Sequence, residues 1–516
     1  MGHEQTATEG PTEAQLLTGE DYLDSLRDGR QVWIDGERVA DVTEHPAFRN
    51  AARSIARLYD ALHDPDHRDL LTAQDRQGIR THRFFMPSYS PQDLLASRDA
   101  IAHWSRMSYG YMGRTPDYKA SFMATLGADP SWYAPYEDSA ARWYRDYAER
   151  ALFLNHVLIN PPIDRNRAVH EVEDVYVHCV DERDDGIIVS GAKMLATGSA
   201  VTHATFVAQN SAVQLEAGKA EDYALVFIAP MDTPGKQLIS RSSYERAARS
   251  PWDNPLSARF DENDALVIFD NAFIPWENVL VYRDVGKATA FYAQSGFMPR
   301  YTLQSGTRLA VKLDFLCGLF LRALRANGTH EFRGVQAKLG ELVGWRNLIW
   351  ALTDALCHDP MGGPGGSVVP KIEFAVLVRL FGTMAVPKAR ALFAEILGGA
   401  PLVVPSSRLD LQNPELRPLI DRFYRGSTGD AHDRIKLFKL IWDAVGTEFG
   451  SRHEWYEINY SGNQEQMRLD MARFSGGRGI LDQCEALVEQ CLSEYDLDGW
   501  VGDTWSDGAS ASSDQG

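Results

Sequence analysis

The chain has 516 residues, with 71 acidic against 52 basic side chains and a formal charge of −19. Apolar residues make up 44 % and charged residues 24 %, globular values that exclude a mostly disordered or collagen-like chain, and the length calls for more than one packed unit. The acidic balance argues against nucleic acid or an anionic membrane surface as partner, because both are held by Lys and Arg.

The first 14 residues are polar and are expected to be loose. From about 46 to 155 the patterning is helical: Ala51, Ile55, Leu58 and Leu62 recur at helical steps, and Ala141, Tyr144, Tyr147 and Leu152 suggest a second helix. From about 172 to 283 the segments shorten and become β-rich. Residues 175–180, 186–191, 204–208, 223–228 and 265–269 read as strands separated by Asp, Gly and Asn clusters, a mostly antiparallel unit. Long amphipathic helices are expected over 301–327, 331–358, 371–398 and 430–460, with a Gly/Pro-rich break at 359–370. The last 23 residues, 494–516, carry six acidic groups and no Lys or Arg, and read as a solvated tail. The expected organisation is an N-terminal helical domain over 1–155, a β domain with the pocket over 156–285, a helix bundle over 286–493 and the acidic tail. This is an α+β order, not the alternating βα texture of a nicotinamide-binding domain.

Five cysteines, at 179, 317, 357, 484 and 491, include no CxxC pair, so neither a disulfide framework nor a metal site is expected, and a cytoplasmic setting is the simple reading. No stretch approaches the ~20 apolar residues of a membrane span; the best, Leu309 to Leu324, carries Lys312, Asp314 and Arg322.

Three clusters could carry chemistry. In Gly113-Arg114-Thr115-Pro116-Asp117-Tyr118, Thr115 suits an N-cap and Pro116 the first helical position, so Arg114 and Tyr118 sit at a positive helix end. An Arg and a Tyr near a helix start are usually surface and packing residues. Asn155-His156 closes the apolar run Ala-Leu-Phe-Leu and precedes Asn160-Pro161-Pro162-Ile163-Asp164-Arg165; a histidine there is more often a satisfied core residue than a catalyst. Gly191-Ala192-Lys193 through Ala196-Thr197-Gly198-Ser199 ends a strand in small residues whose backbone can approach a ligand, a composition shared by any polar strand-to-loop exit. No GxGxxG follows a strand, and there is no GxxxxGK[ST], HExxH or EF-hand loop.

At these clusters, and at Phe273-Ile274-Pro275-Trp276-Glu277, Arg452, Tyr456 and Tyr460-Ser461-Gly462-Asn463, the sequence resembles the oxygenase component of 4-hydroxyphenylacetate 3-monooxygenase and related two-component phenol hydroxylases. The resemblance covers nearly the whole chain. It implies an acyl-CoA-dehydrogenase-like fold, with a helical unit, a β barrel-like middle and a C-terminal bundle that assembles a homotetramer. It implies FADH2 and O2 as cosubstrates, a separate NAD(P)H-dependent flavin reductase, and ortho hydroxylation of a phenol through a flavin C4a-hydroperoxide. By the same resemblance Arg114, Tyr118 and His156 carry the reaction and touch the substrate. His156, Val157, Leu158, Pro162, Ile163, Asp164, Arg165, Thr197, Ser461, Gly462, Asn463 and Gln464 would hold the flavin.

The loop 209–222 is expected to cover the substrate's side chain. Its head, Gln209-Asn210-Ser211, can hydrogen-bond a polar tail but carries no positive charge, so Asn210 and Ser211 are substrate-binding candidates. A 4-hydroxyphenylacetate-like or tyrosine-like phenol is expected, including one tethered to a carrier protein in natural-product assembly. The alternatives are para oxidation of the chlorophenol type and a non-catalytic scaffold of the same fold.

Overall fold

The computed structural model describes residues 16–164, 166–172, 174–210, 213–502 and 505. These fall into two compact units, Met1–Ser461 and Gly462–Gly516.

In the first unit, helices α1 (Arg49–Ala61), α2 (Pro91–Met107), α3 (Ala120–Ala128) and α4 (Glu137–Arg150) stand in the chain between a short N-terminal strand pair and the remaining strands of the two main sheets. Helix α1 buries the predicted Ala51, Ile55 and Leu58. Helix α4 buries Ala140, Trp143, Tyr144, Tyr147 and Ala148, so Ala141 lies beside the buried stripe and not on it. Helix α4 ends where Ala151 turns left-handed (φ 51°), leaving Leu152 outside the helix.

Ten strands form the two main sheets among the described residues: β1 (Val32–Ile34), β2 (Glu37–Arg38), β3 (Leu154–Val157), β4 (His178–Arg183), β5 (Gly186–Lys193), β6 (Ala204–Val207), β7 (Leu225–Pro230), β8 (Lys236–Ser240), β9 (Ala265–Pro275) and β10 (Val279–Tyr282). One sheet has the order β2-β1-β8-β9-β5-β4 and the other β10-β7-β6-β3. Pairing is antiparallel except at β1–β8 and β3–β6, the second setting His156 opposite Phe206. The strand expected at 175–180 begins only at His178, because Tyr176 makes an isolated bridge to Ala192.

The long helices follow: α5 (Phe297–Ala326), α6 (Arg333–His358), α7 (Ile372–Leu397), α8 (Ala431–Val445) and α9 (Glu448–Asn459). The single helix expected over 430–460 is two. Gly446 ends α8, and the Thr447 hydroxyl caps α9 by accepting from the Gly450 N–H. Helix α5 runs through the middle of the bundle, with both apolar and polar side chains buried along its length. No described helix is long and apolar enough to cross a membrane. The helix–sheet–helix order is the α+β order expected from the sequence. In the second unit α10 (Gln464–Gly477) and α11 (Ile480–Leu492) pack together.

Candidate active site

Arg114 and the turn after it, strand β3, and the exit of β5 line a small, partly open pocket walled by Arg114, Tyr118, Lys119, Asn155, His156 and Thr197 among others. Pro116 opens a 3-10 turn, Pro116–Lys119, that runs into α3. Thr115 stands at the cap position, but its hydroxyl donates to Asp117 Oδ1 (2.5 Å) and does not cap the turn. Asp117 is fully buried and also accepts from Gln304 Nε2 (3.2 Å); burial lifts its carboxyl to about 6. That buried knot holds the turn, so Arg114 and Tyr118 leave it with fixed directions.

The Arg114 backbone N–H donates to Glu262 Oε1 (2.5 Å), and its guanidinium carbon lies 3.8 Å from the centre of the Tyr118 ring. The rings of Tyr456 and Tyr460 stand 5.4 and 5.8 Å from the same carbon, stacked on each other at 4.9 Å. Arg114 Nη1 is buried with no partner among the described residues. Tyr118 stacks on the His156 imidazole at 5.7 Å. Burial pushes the Tyr118 phenol up to about 12 despite Arg114, so its hydroxyl keeps its proton near neutral pH and can donate. Burial, with Lys119 and Arg114 adding to it, drives His156 well below the usual histidine range, so the imidazole is neutral. Phe122 and Phe297 meet the imidazole edge-on, each 6.1 Å away, and make the wall dry.

The remaining predicted residues are spread differently. Thr197 reaches the pocket, and its hydroxyl donates to Asp264 Oδ1 (2.5 Å). Val157 and Leu158 are buried beside the pocket, whereas Pro162 and Ile163 are exposed, Ile163 by 61 %, and Asp164 accepts from the Asn166 N–H in a local turn (2.9 Å). Arg165 and Ser211 lie outside the described residues. The Asn210 carbonyl accepts from the Val213 N–H (2.9 Å). Gln209 turns inward: its Oε1 accepts from Lys193 Nζ (2.9 Å) and its Nε2 donates to the Tyr223 carbonyl (2.8 Å). It therefore anchors the loop and offers nothing to a substrate tail. The Ser461 carbonyl accepts from Arg379 Nη2 (2.6 Å). Gly462, Asn463 and Gln464 open the second unit, where Asn463 caps α10 by accepting from the Gln466 N–H (2.7 Å).

Two matches with family models divide the chain between them: 4-hydroxyphenylacetate 3-hydroxylase N terminal over residues 18–281 and the C-terminal part over 288–489. The chain belongs to this family. It is 56 % identical to the pyoverdin chromophore biosynthetic protein PvcC of Pseudomonas aeruginosa, over 95 % of this chain and 98 % of that one. It is 47 % identical to the (3S)-3-amino-3-(3-chloro-4-hydroxyphenyl)propanoyl-[peptidyl-carrier protein SgcC2] monooxygenase of Streptomyces globisporus, over 94 % and 92 %. A crystal structure of the oxygenase component of 4-hydroxyphenylacetate 3-monooxygenase with FAD and 4-hydroxyphenylacetate superposes with a TM-score of 0.86 at 28 % identity, covering 92 % of this chain and 99 % of that one. Membership makes the chain an oxygenase component of the two-component, flavin-dependent monooxygenases, which act on phenols with FADH2 and O2. An oxygenase component implies a reductase as partner.

Sequence reasoning missed several residues that shape the pocket. Lys119 directly follows Tyr118 in a motif it singled out, and only the fold shows that the lysine points inward. Glu262 and Asp264 are carboxylates in the link into β9. Asp264 takes a two-point contact from Arg452 (Nη2–Oδ1 2.7 Å, Nε–Oδ2 3.0 Å) and a third bond from Arg241 Nε (3.0 Å). These cations hold Asp264 well below the carboxylate range in spite of its burial. Behind the tyrosine pair, Glu457 is fully buried between Arg308 (Nη2–Oε2 2.9 Å) and Lys312 (2.6 Å).

Proposed function

We propose that this chain inserts one oxygen atom at the carbon ortho to a phenol's hydroxyl, on a 4-hydroxyphenylacetate-like or tyrosine-like phenol of natural-product assembly, free or carrier-tethered. The observation that carries the reading is the convergence of Arg114, Tyr118 and His156 on one aromatic-walled pocket. The residues fit a flavin beside a phenol, because Arg114 Nη1 and Asn155 Oδ1, a donor and an acceptor on that wall, are buried without partners. When bound and reduced, the flavin supplies two electrons and two protons, so that one oxygen of O2 enters the ring and the other leaves as water.

A phenol is a better nucleophile at its ortho carbon as its oxygen takes on negative charge. Arg114 offers that oxygen a fixed positive charge and a free N–H. Tyr118 offers its hydroxyl, and His156 offers Nε2, which has no hydrogen-bond partner among the described residues. The Phe122, Phe291 and Phe297 stack behind His156 excludes water, which limits unproductive reduction of oxygen. Asn155, His156 to Leu158 and Thr197 would line the flavin, with Ser461 as a further candidate. The chain would assemble as a homotetramer.

A tethered tyrosine-like substrate suits the uncharged head of loop 209–222 better than a free carboxylate does. The test is turnover of free and carrier-bound phenols with a generic flavin reductase, read by mass spectrometry for one added oxygen. A stable catechol supports ortho attack, and halide released from a halophenol indicates para attack instead. A protein that oxidises FADH2 without modifying any phenol is a scaffold or an uncoupled oxidase.

A further inference from the structure

Lys119 has the side chain least at home in its surroundings. It is 1 % exposed, at the last position of the turn Pro116–Lys119. Among the described residues its ammonium meets no carboxylate. The one polar atom against it is His156 Nδ1. Around it stand the rings of Tyr118 at 4.4 Å, Phe122 at 4.8 Å and Phe297 at 5.4 Å. Arg114 adds a second positive charge nearby, and burial first, then Arg114, depresses the lysine's pKa well below its usual value. A buried amine without a counter-ion is unfavourable, so packing alone is a poor reason to hold a lysine here.

What Lys119 can give is a hydrogen-bond donor. An ammonium has three N–H groups, and a neutral amine still has two. As an ammonium Nζ can only donate, which makes His156 Nδ1 the acceptor; as a neutral amine it can donate the same bond or accept one from Nδ1–H, so the acceptor role of Nδ1 is the arrangement open to both states of Nζ. A neutral imidazole that accepts at Nδ1 carries its single proton on Nε2, the other ring nitrogen. The charged and titratable groups around His156 are Lys119, Arg114 and the Tyr118 phenol, none of them a carboxylate that would stabilise an imidazolium.

We propose that Lys119 is a positioning residue that holds His156 as the Nε2–H tautomer, so that His156 donates a hydrogen bond to the substrate oxygen instead of taking its proton. This rests on the reading of the pocket as a phenol site. The phenol then binds as its phenolate, its proton going to solvent, and the anion is held by Arg114, the Tyr118 hydroxyl and His156 Nε2–H. The site works by stabilising charge and not by general base catalysis.

The test needs neither flavin nor substrate. Full-length protein labelled with ¹⁵N-histidine is examined by solid-state NMR at pH 7, and the His156 signals are assigned by their loss in His156→Gln. The expected wild-type spectrum has a bare Nδ1 and a protonated Nε2. Lys119→Met should mix the tautomers or reverse them, while Lys119→Gln, whose amide keeps an N–H donor, should hold the wild-type form. A wild-type spectrum showing Nδ1–H overturns the proposal whether or not the variants fold, and so does an unchanged tautomer in Lys119→Met. Binding of 4-nitrophenol to the flavin-free protein adds a second readout: the bound ligand should be the yellow phenolate, with its apparent pKa raised in Lys119→Met. A correct tautomer with no phenol turnover would sink the functional reading and leave the role of Lys119 standing.

Discussion

Gly113 stands next to the arginine that faces the pocket, and adding one methyl group there should damage catalysis more than folding. A Cβ on Gly113 would meet the Tyr456 hydroxyl inside contact distance and would lie 2.6 Å from Tyr456 Cζ. Carbon atoms sit comfortably at ~3.5 Å, so the ring must retreat by about 1 Å. Its retreat is obstructed: Tyr460 stacks on it at 4.9 Å, and Arg308 and Arg452 stand 5.6 and 5.1 Å from its centre. The alternative is for the backbone of Gly113 to move, and with it Arg114, whose N–H is tied to Glu262. Overpacking of this kind costs ~1–3 kcal/mol of stability, whereas a 1 Å misplacement of a positioning group can cost ~10²-fold in rate. Gly113→Ala should therefore fold, lose a few degrees in Tm, and lower hydroxylated product per FADH2 consumed by ~10²-fold. The double variant Gly113→Ala/Tyr456→Ala removes the clash and should recover the Tm loss attributable to it. The assay is product against H2O2 in a reductase-coupled reaction, with Tm in parallel. Wild-type kcat/KM, product ratio and Tm in Gly113→Ala would refute the reasoning.

His156→Ala and Arg114→Ala should each cut the product-to-H2O2 ratio by ~10²-fold or more, and Tyr118→Phe by less, because only one donor is lost. Glu457→Gln leaves Arg308 and Lys312 buried without a carboxylate and should cost ~3–5 kcal/mol at pH 7, measured by denaturant unfolding. Despite burial, the two cations lower the Glu457 carboxyl from 4.5 to about 2, so its stabilising effect is full above pH 4.5 and fades as the pH falls toward 2. The gap between wild type and variant should narrow at pH 3, and an equal gap at both pH values would contradict this. Sedimentation should show a tetramer, which would cover the exposed Phe332, Phe423 and Trp455 of the helical region; a well-behaved monomer would contradict it.

Much of the fold was legible because long periodic segments dominate it. Helices α5, α6 and α7 lie within four residues of their expected bounds. Leu309 to Leu324 reads correctly as a helix that does not span a membrane, and the bundle itself buries most of its apolar face. Short elements were not legible. The three residues of β1 are too few to carry a period, and their parallel pairing with β8 joins segments about 200 residues apart. The Gly446-Thr447 break was present as a stop and a cap, but the apolar period on either side hid it.

For the site, the motifs identified Arg114, Tyr118, His156 and Thr197, and these do meet at one pocket. The partners that fix them did not show in the sequence. Lys119, Glu262 and Asp264 look like ordinary surface charges in a string of letters, and only tertiary packing turns them inward. Gln209 misled for the complementary reason: its amide looked available, and Lys193 and Tyr223 use both ends of it.

The proposed reaction transfers one oxygen atom from O2 to the ortho carbon of a phenol in this pocket. The most direct measurement is a reductase-coupled reaction under ¹⁸O2 with free and carrier-bound tyrosine-like phenols, with the product located by mass spectrometry and NMR. The expected product is a catechol carrying one ¹⁸O next to the original hydroxyl, which retains ¹⁶O. A product whose new oxygen comes from water, or sits para to the original hydroxyl, would contradict it.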